Sequence, residues 1–527
     1  MSTTADGIAI DRPAADTPSA ASRLEGAFTI SLWLEVPGDR SGVGGGLASQ
    51  FDPATRTGFN LSAISSAGGY CGPSDELRLS FGIDAGSEPR WLDFGRPSAT
   101  SNYVSNSLTV FDGRVHAATS DSLEPAERGH VYRHLGDADW EDLGRVGTEE
   151  ASGVGPLVVH RDHLYAATWN YDWTRVHEQA LEACHVYRYD GPGRWEDVGQ
   201  PGDSRRLFSL ASSRGELLVA GDDRTIHRYR GDHSWEKVAE FETFAHPTGI
   251  HDGKLILGML QPASVHAFDG SEWRDLGNPL GDPARCDEIH SIASYRGDLI
   301  VGTWPLGRVA RWDGRRRRWR QVGRLGDSTE VMDLNVYNGK LYAAAIPRAE
   351  IFRYERDGDW TSLRRFFDPP GWRPVRVANM RRPPDGDRRM REWSRITSLI
   401  QHDGLLYASI GSCTSAAVDA RADIRGSVQA IGVGIVATTA HPLEPGWHHV
   451  AARSTGSRVS IHIDGREVVA AIGRLPRATA TIAPLRIGED ETGPYRGQIA
   501  GFRMEQRPLD DREIAGLAAT ARAGAGS

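Results

Sequence analysis

Histidine and glutamate residues gather in two irregular stretches of this 527-residue chain. These stretches are WNYDWTRVHEQALEACH, residues 169–185, and GDPARCDEIH, residues 281–290. A histidine beside a carboxylate can move protons to and from a substrate, which is the basis of general acid–base catalysis. The candidate catalytic residues are His177, His185, Glu288 and His290.

Aromatic and basic residues flank the same stretches. Aromatic rings stack on the apolar faces of sugars, and the guanidinium fork binds planar anions such as uronate or sulfate. Their combination favours an acidic polysaccharide as the ligand. The candidate ligand-binding residues are Trp169, Tyr171, Trp173, Arg205, Arg206, Trp304, Arg308 and Arg348.

Each candidate also has a structural interpretation. His185 directly precedes a strand pattern, which is typical of a structural histidine, and His177 fits a short exposed helix in its loop. The arginines also fit solvated charges at the rim of a fold. Cys286 lies beside Asp287 and near His290, yet no complete ligand set accompanies it, so no metal site is predicted.

A repeated phrase supplies the elements that would position these residues. HVYRYDGPGRWEDVGQPG (185–202) returns in related form at 130–147, 264–281, 308–326 and 350–363. A period of about 40–50 residues indicates a repeat architecture. Each copy splits into four strand-like pieces, the first two joined by Asp-Gly, Asn-Gly or a relative, which is a strong hairpin signal. Four-stranded units repeated around a ring are the blades of a β-propeller.

The count of strands predicts how the ring closes. There are seven first strands, at 107–113, 156–162, 207–215, 246–253, 289–297, 331–339 and 396–404, but only six tryptophans follow them in fourth strands. The missing fourth strand is upstream, because RWLDFGRP (90–97) resembles RWEDVGQP. We therefore expect Trp91 on the outer strand of the last blade, which removes two exposed sheet edges. The repeats resemble the kelch-like class loosely.

The segments outside the ring carry a second signature. GAFTISLWLEVP (26–37) alternates like a strand and contains Trp33, and GWHHVAARSTGSRVSIHIDGREVVA (446–470) precedes PLRIGED (484–490) and a closing strand and helix. These residues resemble the laminin-G-like, concanavalin-A-like jelly roll. Neither piece has enough strands alone, so the propeller is expected to be inserted in the jelly roll.

The predicted fold class is all-β: a seven-bladed propeller inserted into a β-sandwich. The expected domains are a flexible lead-in (1–23), the first part of the jelly roll (24–88), the propeller (89–440), the second part of the jelly roll (441–520) and a flexible tail (521–527). On a propeller, the loops from second to third and from fourth to first strands share one face. Any ligand is therefore expected there, on the face lined by 169–185, 281–290 and Arg308.

Composition limits the partners. The net charge of −9 with mixed signs gives no case for nucleic acid, and no stretch approaches 18 apolar residues, so no membrane partner is predicted. The N-terminus does not read as a secretory signal, which favours a cytoplasmic location unless another export route exists. The four separated cysteines favour isolated thiols over disulfides. Cofactors and oligomeric state stay open; a structural calcium in the jelly roll has no clear motif.

Three functions are consistent with this sequence. A carbohydrate-recognising protein for an acidic polysaccharide is favoured, and whether it also cleaves the glycan stays open. A polysaccharide lyase or glycoside hydrolase acting at the same face is the first alternative, and a protein-interaction scaffold is the second. Both predicted folds host many functions, so the site must decide among them.

Overall fold

The computed structural model describes residues 26–39, 44–66, 73–122, 128–149, 151, 153–170, 182–368, 393–413 and 426–522. Within these ranges the regular structure is 40 β-strands and one α-helix near the C-terminus. The all-β class is therefore confirmed, as is the combination of a propeller with a sandwich. The predicted residues Tyr171, Trp173 and His177 lie outside the described ranges.

The sandwich is built from both ends of the chain. Its strands are β1 (Ala27–Val36), β2 (Gly45–Asp52), β3 (Thr57–Ser65), β4 (Leu77–Ala85), β33 (Ile435–Thr438), β34 (Gly446–Thr455), β35 (Arg458–Ile463), β36 (Arg466–Ile472), β37 (Arg486–Ile487), β38 (Glu489–Asp490), β39 (Gly493–Pro494) and β40 (Ile499–Glu505), followed by α1 (Asp511–Arg522).

The propeller strands lie between these two groups, four to a blade. Blade 1 contains β6 (Ser101–Phe111), β7 (Arg114–Ser122), β8 (His130–Gly136) and β9 (Asp139–Arg145); blade 2 contains β10 (Gly153–His160), β11 (His163–Trp169), β12 (Val186–Gly191) and β13 (Arg194–Asp197); blade 3 contains β14 (Leu207–Ser213), β15 (Glu216–Gly221), β16 (Thr225–Gly231) and β17 (Ser234–Glu240). Blade 4 contains β18 (Phe244–His251), β19 (Lys254–Leu260), β20 (Val265–Phe268) and β21 (Trp273–Gly277); blade 5 contains β22 (Glu288–Tyr295), β23 (Asp298–Trp304), β24 (Arg308–Asp313) and β25 (Arg318–Arg324); blade 6 contains β26 (Glu330–Tyr337), β27 (Lys340–Ile346), β28 (Glu350–Arg356) and β29 (Asp359–Arg365). Blade 7 contains β30 (Trp393–His402), β31 (Leu405–Cys413), β32 (Val428–Gly432) and β5 (Arg90–Asp93).

Long-range pairing holds the sandwich together. One sheet has the order β36-β35-β34-β1-β40, and the facing sheet runs β33-β4-β3-β2-β39-β38. Strand β1 pairs antiparallel with β34 along its whole length, from Ala27 opposite Thr455 to Val36 opposite Gly446. It also pairs with β40, where Thr29 lies opposite Glu505. The prediction that 26–37 and 484–505 share one sandwich is confirmed.

One expected boundary differs from the pairing. Strand β33 already pairs with β4, with Ile435 opposite Ile83. The expected end of the propeller at 440 therefore falls after a sandwich strand. The sequence pattern concealed this because β33 follows β32 after two residues and both strands are fully buried.

Ring closure occurs as predicted in blade 7. The outer strand β5 pairs with β32, with Trp91 opposite Ile431. The indole of Trp140, on the outer strand of blade 1, donates a 2.8 Å hydrogen bond to the carbonyl of Phe94, just after β5. Trp195 and Trp235 make the same bond to the outer strand of the preceding blade, at 3.1 and 2.9 Å. The repeated tryptophan therefore ties neighbouring outer strands together.

Turn residues explain the hairpin ends of the inner strands. Asp112 and Asn338 adopt positive φ, and each is followed by a glycine that does the same, which is the conformation of a tight hairpin turn. The small second-strand residues Ala117, Ala166 and Ala343 are fully buried, as expected where blades approach closely.

The sandwich covers the face of the propeller that carries these hairpins. Arg78 is fully buried and donates to the carbonyl of Gln401 in blade 7 at 2.6 Å. The Asp75 carboxylate accepts from Ser212 in blade 3 at 2.6 Å, and the Ser66 carbonyl accepts from Val110 in blade 1 at 2.8 Å. Further contacts of this kind reach every other blade: Ser74 to Val159, Arg496 to Asp252, Glu491 to Arg296 and Lys340 to Pro53. We call this covered side the closed face and the opposite side the open face.

Candidate functional site

All seven inner strands begin at the open face, and each has a register shift at the same place. The shift lies between Leu207 and Ser209 in blade 3, Ile289 and Ser291 in blade 5, and Val331 and Asp333 in blade 6. Blades 1, 2, 4 and 7 have the same irregularity. A β-bulge re-aims side chains, and bulges are common beside functional sites. The repeat thus places seven irregular segments around the channel mouth.

Two positions at this register shift hold charged, imidazole, aromatic or thioether side chains in several blades. The residue two places before each bulge is charged in four blades: Arg206, Glu288, Glu330 and Arg395. The bulged residue itself is Phe208, His246, His290 or Met332 in blades 3 to 6. We call these eight residues the mouth group. They come from five consecutive blades.

His290 is the centre of the mouth group. Its Nε2 lies 2.7 Å from Oε2 of Glu288 on its own strand and 3.9 Å from Oε2 of Glu330 on the next blade. The imidazole side chain is 8% exposed, whereas the two glutamates are 16% and 15% exposed and reach the solvent. Gln261 donates to the other oxygen of Glu288 at 2.6 Å. The imidazole therefore lies between two partly exposed carboxylates.

The surroundings set the protonation states. Burial alone would lower the pKa of His290, but the carboxylates of Glu330 and Glu288 outweigh it, and the pKa lies above its ordinary value. Burial raises the pKa of Glu330, although the charge of His290 partly opposes this. His290 thus keeps its proton to higher pH than a free imidazole, and Glu330 keeps its proton to higher pH than an exposed glutamate.

His246 has the opposite character. Its ring meets the His290 ring edge-on, with centroids 5.2 Å apart. Burial, followed by the charges of His290, Arg206 and Arg395, holds the pKa of His246 well below its ordinary value. The mouth group therefore contains two imidazoles in contact whose pKa values are shifted in opposite directions.

An aromatic wall adjoins His246. Phe208 lies 4.6 Å from His246 between ring centroids, and the Arg206 guanidinium stacks 4.8 Å over Phe208. Trp169 is 5% exposed, and its indole donates to the carbonyl of Leu207 at 2.9 Å. Trp304 is 9% exposed, and its backbone lies opposite Glu288 in the antiparallel pairing of β22 with β23. Neither indole presents an open face for stacking on a sugar, so both pack the wall.

A second cluster lies on the outer part of blade 5 at the same face. Arg308 begins β24, Arg324 ends β25, and Arg285 lies in the preceding loop. Arg308 donates to Oε1 of Gln321 at 2.5 Å, and Arg285 approaches the same oxygen at 3.4 Å. Burial, and then the charges of Arg285 and Arg324, lower the pKa of Arg308. Among the described residues, no carboxylate forms an ion pair with these three arginines, which we call the arginine cluster.

The remaining predicted residues are apart from the mouth group. His185 pairs with Asp197 of its own blade at 2.8 Å, which supports its structural interpretation. Arg205 is exposed, and its backbone N–H donates to Asp222. Arg348 pairs with Asp368 and with Asp327. Of the predicted residues, the structure brings Glu288, His290 and Trp304 together, and Trp169 with Arg206.

The cysteines and the sandwich offer no comparable centre among the described residues. Cys184 and Cys286 are free and buried, and burial raises the pKa of each thiol to about 12, so neither is an activated nucleophile. On the sandwich, His462, Glu467 and Asp511 lie within 4.8 Å of one another. Arg453 already pairs with both carboxylates, at 3.0 and 2.8 Å, where a cation would lie.

The sequence reasoning missed five members of the mouth group, namely Phe208, His246, Glu330, Met332 and Arg395. A signal was present in the repeats. Aligning EIHSI (288–292) with EVMDL (330–334) places Glu330 in register with Glu288. Aligning FAHPT (244–248) in the same way places His246 in register with His290. The arginine cluster also has a signal, since Arg308 and Arg324 occupy opposite ends of one predicted hairpin.

Comparisons with known proteins agree with the architecture. Residues 392–515 match a family model described as the concanavalin A-like lectin/glucanases superfamily, so the chain carries a concanavalin A-like domain. The first part of that match, up to Gly432, covers described strands that pair within blade 7, whereas β1–β4 of the sandwich lie outside the match.

Two solved structures are similar to part of this chain. A catalytically inactive variant of virginiamycin B lyase from Staphylococcus aureus with quinupristin has a TM-score of 0.46 and 10% identity, covering 66% of this chain and 100% of that chain. YCF48 from Cyanidioschyzon merolae has a TM-score of 0.42 and 10% identity, covering 65% and 98%. No curated protein matches the chain in sequence. Among the described residues, no helix has the length and apolar character needed to cross a membrane.

Proposed function

We propose that this protein recognises an acidic polysaccharide at the open face of the propeller. The observation that carries the proposal is the arginine cluster, Arg285, Arg308 and Arg324, beside the mouth group on blade 5. Three guanidinium groups close together without a carboxylate repel one another, and an anionic ligand relieves that repulsion. Uronate and sulfate groups on a glycan have the planar or multidentate oxygens that such a cluster binds.

The concanavalin A-like domain is compatible with carbohydrate recognition. It does not by itself locate the ligand, because the sandwich and the propeller both offer surfaces. The open face is favoured since the closed face is occupied by the sandwich, whereas Glu288 and Glu330 remain partly exposed at the channel mouth. The ligand would therefore extend from the arginine cluster toward the mouth group.

The structure changes the predicted roles of the ligand-binding residues. Arg206 and Arg348 already pair with carboxylates, and Trp169 and Trp304 are buried. In this proposal, Arg308 binds the ligand together with Arg285 and Arg324. Recognition in this proposal is thus mainly electrostatic, and affinity should fall as ionic strength rises.

Binding to a glycan array that includes uronic acid polymers and sulfated polymers tests the proposal. Arg308→Ala and Arg285→Ala should each weaken binding by about 10- to 150-fold, the range expected for a lost hydrogen bond to a charged group. Arg315→Ala is the matched control, because Arg315 is exposed in the hairpin at the other end of the same two strands. Binding that is unchanged in both cluster variants would move the site elsewhere, with the sandwich as the next candidate.

A further inference from the structure

We propose that the mouth group cleaves the bound polysaccharide by β-elimination, with Glu288 as the base and Glu330 as the acid. This inference rests on the proposed function, since it needs a uronic acid residue held at the open face. It goes further by assigning a reaction to residues that recognition alone does not require.

The positions of the Glu288 and Glu330 carboxyl groups support this assignment. Glu288 and Glu330 come from the same position of neighbouring inner strands and share one imidazole nitrogen, at 2.7 and 3.9 Å. Both carboxyl groups are partly exposed, whereas His290 lies behind them. Because both carboxyl groups lie within 4 Å of one imidazole nitrogen, a single sugar ring at the channel mouth can contact both of them.

The charges around the mouth group favour elimination over hydrolysis. Glycoside hydrolysis passes through a transition state with oxocarbenium-like positive charge. At the channel mouth, the charges of His290, Arg206 and Arg395 all act on the neighbouring His246 and lower its pKa, so the cationic side chains lie close to the candidate site. Positive groups destabilise an oxocarbenium ion and stabilise an enolate. A developing negative charge therefore suits this site better.

The step balances without a further reactant. The Glu288 carboxylate removes the proton from C5 of the uronic acid residue. The electron pair of that C–H bond moves into the sugar carboxylate as an enediolate, which the cationic groups stabilise. The pair then forms the C4–C5 double bond, and the C4–O bond breaks. Its oxygen takes the proton of Glu330, so the products are an unsaturated uronate and a new hydroxyl end.

The upward pKa shift of Glu330 fits its role, because an acid that keeps its proton to higher pH remains able to donate it. His290 is a positioning residue in this scheme. It keeps Glu288 oriented through the 2.7 Å hydrogen bond and supplies the positive field. His246, held neutral beside it, adds no competing charge.

The experiment uses the full chain with polygalacturonate, alginate, hyaluronan and chondroitin sulfate as probes, and with dextran as the neutral control. Binding is measured together with absorbance near ~235 nm, which reports unsaturated uronate. We expect absorbance to rise with a polymer that binds. Glu288→Gln and Glu330→Gln should each lower the rate by about 100- to 10,000-fold while binding stays within about threefold.

Two further variants separate catalysis from folding. Glu272→Gln, in an exposed hairpin turn of blade 4, should leave the rate unchanged. His290→Gln keeps a hydrogen-bonding side chain but no charge, so it should lower kcat more than it changes KM and should displace the pH profile. Thermal melting of every variant confirms that it folds.

The outcomes are distinct. Binding without any cleavage overturns the elimination but leaves the recognition proposal standing. New reducing ends without absorbance near ~235 nm indicate hydrolysis and also overturn it. If none of the acidic polymers binds, the proposed function itself is wrong. Full activity in both glutamate variants would remove Glu288 and Glu330 from the reaction.

Discussion

The two faces of the propeller use charged residues in different ways. At the closed face, Arg78 is fully buried, and its guanidinium donates to the carbonyls of Gln401 and Thr439 and to the hydroxyl of Ser66. At the open face, Arg308 meets two other arginines and the amide oxygen of Gln321. The first arginine satisfies buried backbone groups, whereas the second raises the electrostatic energy of the folded protein.

This difference separates a charge that stabilises the fold from a charge whose counter-charge a ligand would supply. A charge that fills the hydrogen-bonding needs of its neighbours contributes to stability. A set of like charges kept close together costs stability, and such a cost is expected where a ligand supplies the missing counter-charge. We therefore expect substitution of Arg78 and substitution of Arg308 to change the free energy of unfolding in different ways, as should changes in the elements around them.

Removing residues 443–527 should have the largest effect. The deletion removes β34 and β40, the two neighbours of β1, together with half of the sandwich core. The 1–442 fragment should aggregate, because β1 and the closed face of the propeller lose their cover. Size-exclusion chromatography and calorimetry measure this. A monomeric fragment with a cooperative melt would show that the closed face does not need the sandwich.

Arg78→Met should come next. It keeps much of the side-chain volume but leaves the carbonyls of Gln401 and Thr439 without a donor in a buried place. We expect the free energy of unfolding to fall by about 1–3 kcal/mol for each carbonyl left unsatisfied. Chemical denaturation measures it, with Arg315→Met as the exposed control. A loss below about 1 kcal/mol would mean that water replaces the guanidinium.

Acidification should lower the free energy of unfolding through two buried histidines of the closed face. Burial lowers the pKa of both His116 and His402 to about 3, so the unfolded chain takes up their protons from about pH 6.5 downward while the folded chain does not. Stability should therefore fall as pH decreases from 6.5 toward 3. Because its pKa is raised, His290 contributes in the opposite sense, with stability present below pH 6.5 and lost as pH rises through its raised pKa.

Melting temperatures between pH 3.5 and 8 check this sign. His402→Phe removes one group that takes up a proton on unfolding. The melting temperature should therefore fall less steeply toward acidic pH than in the parent protein. An equal slope in both proteins would show that His402 titrates normally in the folded chain.

Arg308→Ala should have the smallest effect on stability. We expect a change within about 0.5 kcal/mol, or a slight gain, because the substitution relieves repulsion from Arg285 and Arg324. Denaturation of this variant, alongside Arg78→Met, gives the direct contrast. A loss above about 2 kcal/mol would mean that Arg308 is structural and would weaken the recognition proposal.

Much of the fold could be predicted because repetition amplifies local signals. Asp-Gly and Asn-Gly turns mark the hairpins, and RWLDFGRP shows that the chain's early strand belongs to its last blade. The kelch-like kinship remains a prediction. The boundary at β33 was not visible, since a buried strand reads alike whether it pairs with β4 or with another blade.

The site was less predictable for a physical reason. Glu288 and His290 were identified because they are neighbours in sequence, whereas Glu330 and His246 join them only through the ring and the bulges. Trp169 and Trp304 looked like stacking residues, but burial is a property of packing between blades that composition does not reveal.

The two chain closures also constrain how the protein is made. Strand β1 cannot pair until β34, about 400 residues later, has been synthesised, and β5 cannot pair until β32 has been synthesised. At translation rates of about 5–20 residues per second, these early strands spend roughly 20–80 s without their partners. Blades 1 to 6 can form as they leave the ribosome, but the ring and the sandwich can be sealed only after synthesis nears its end. During that interval the early strands expose open edges, so a holding chaperone would raise the yield of folded protein most during this time.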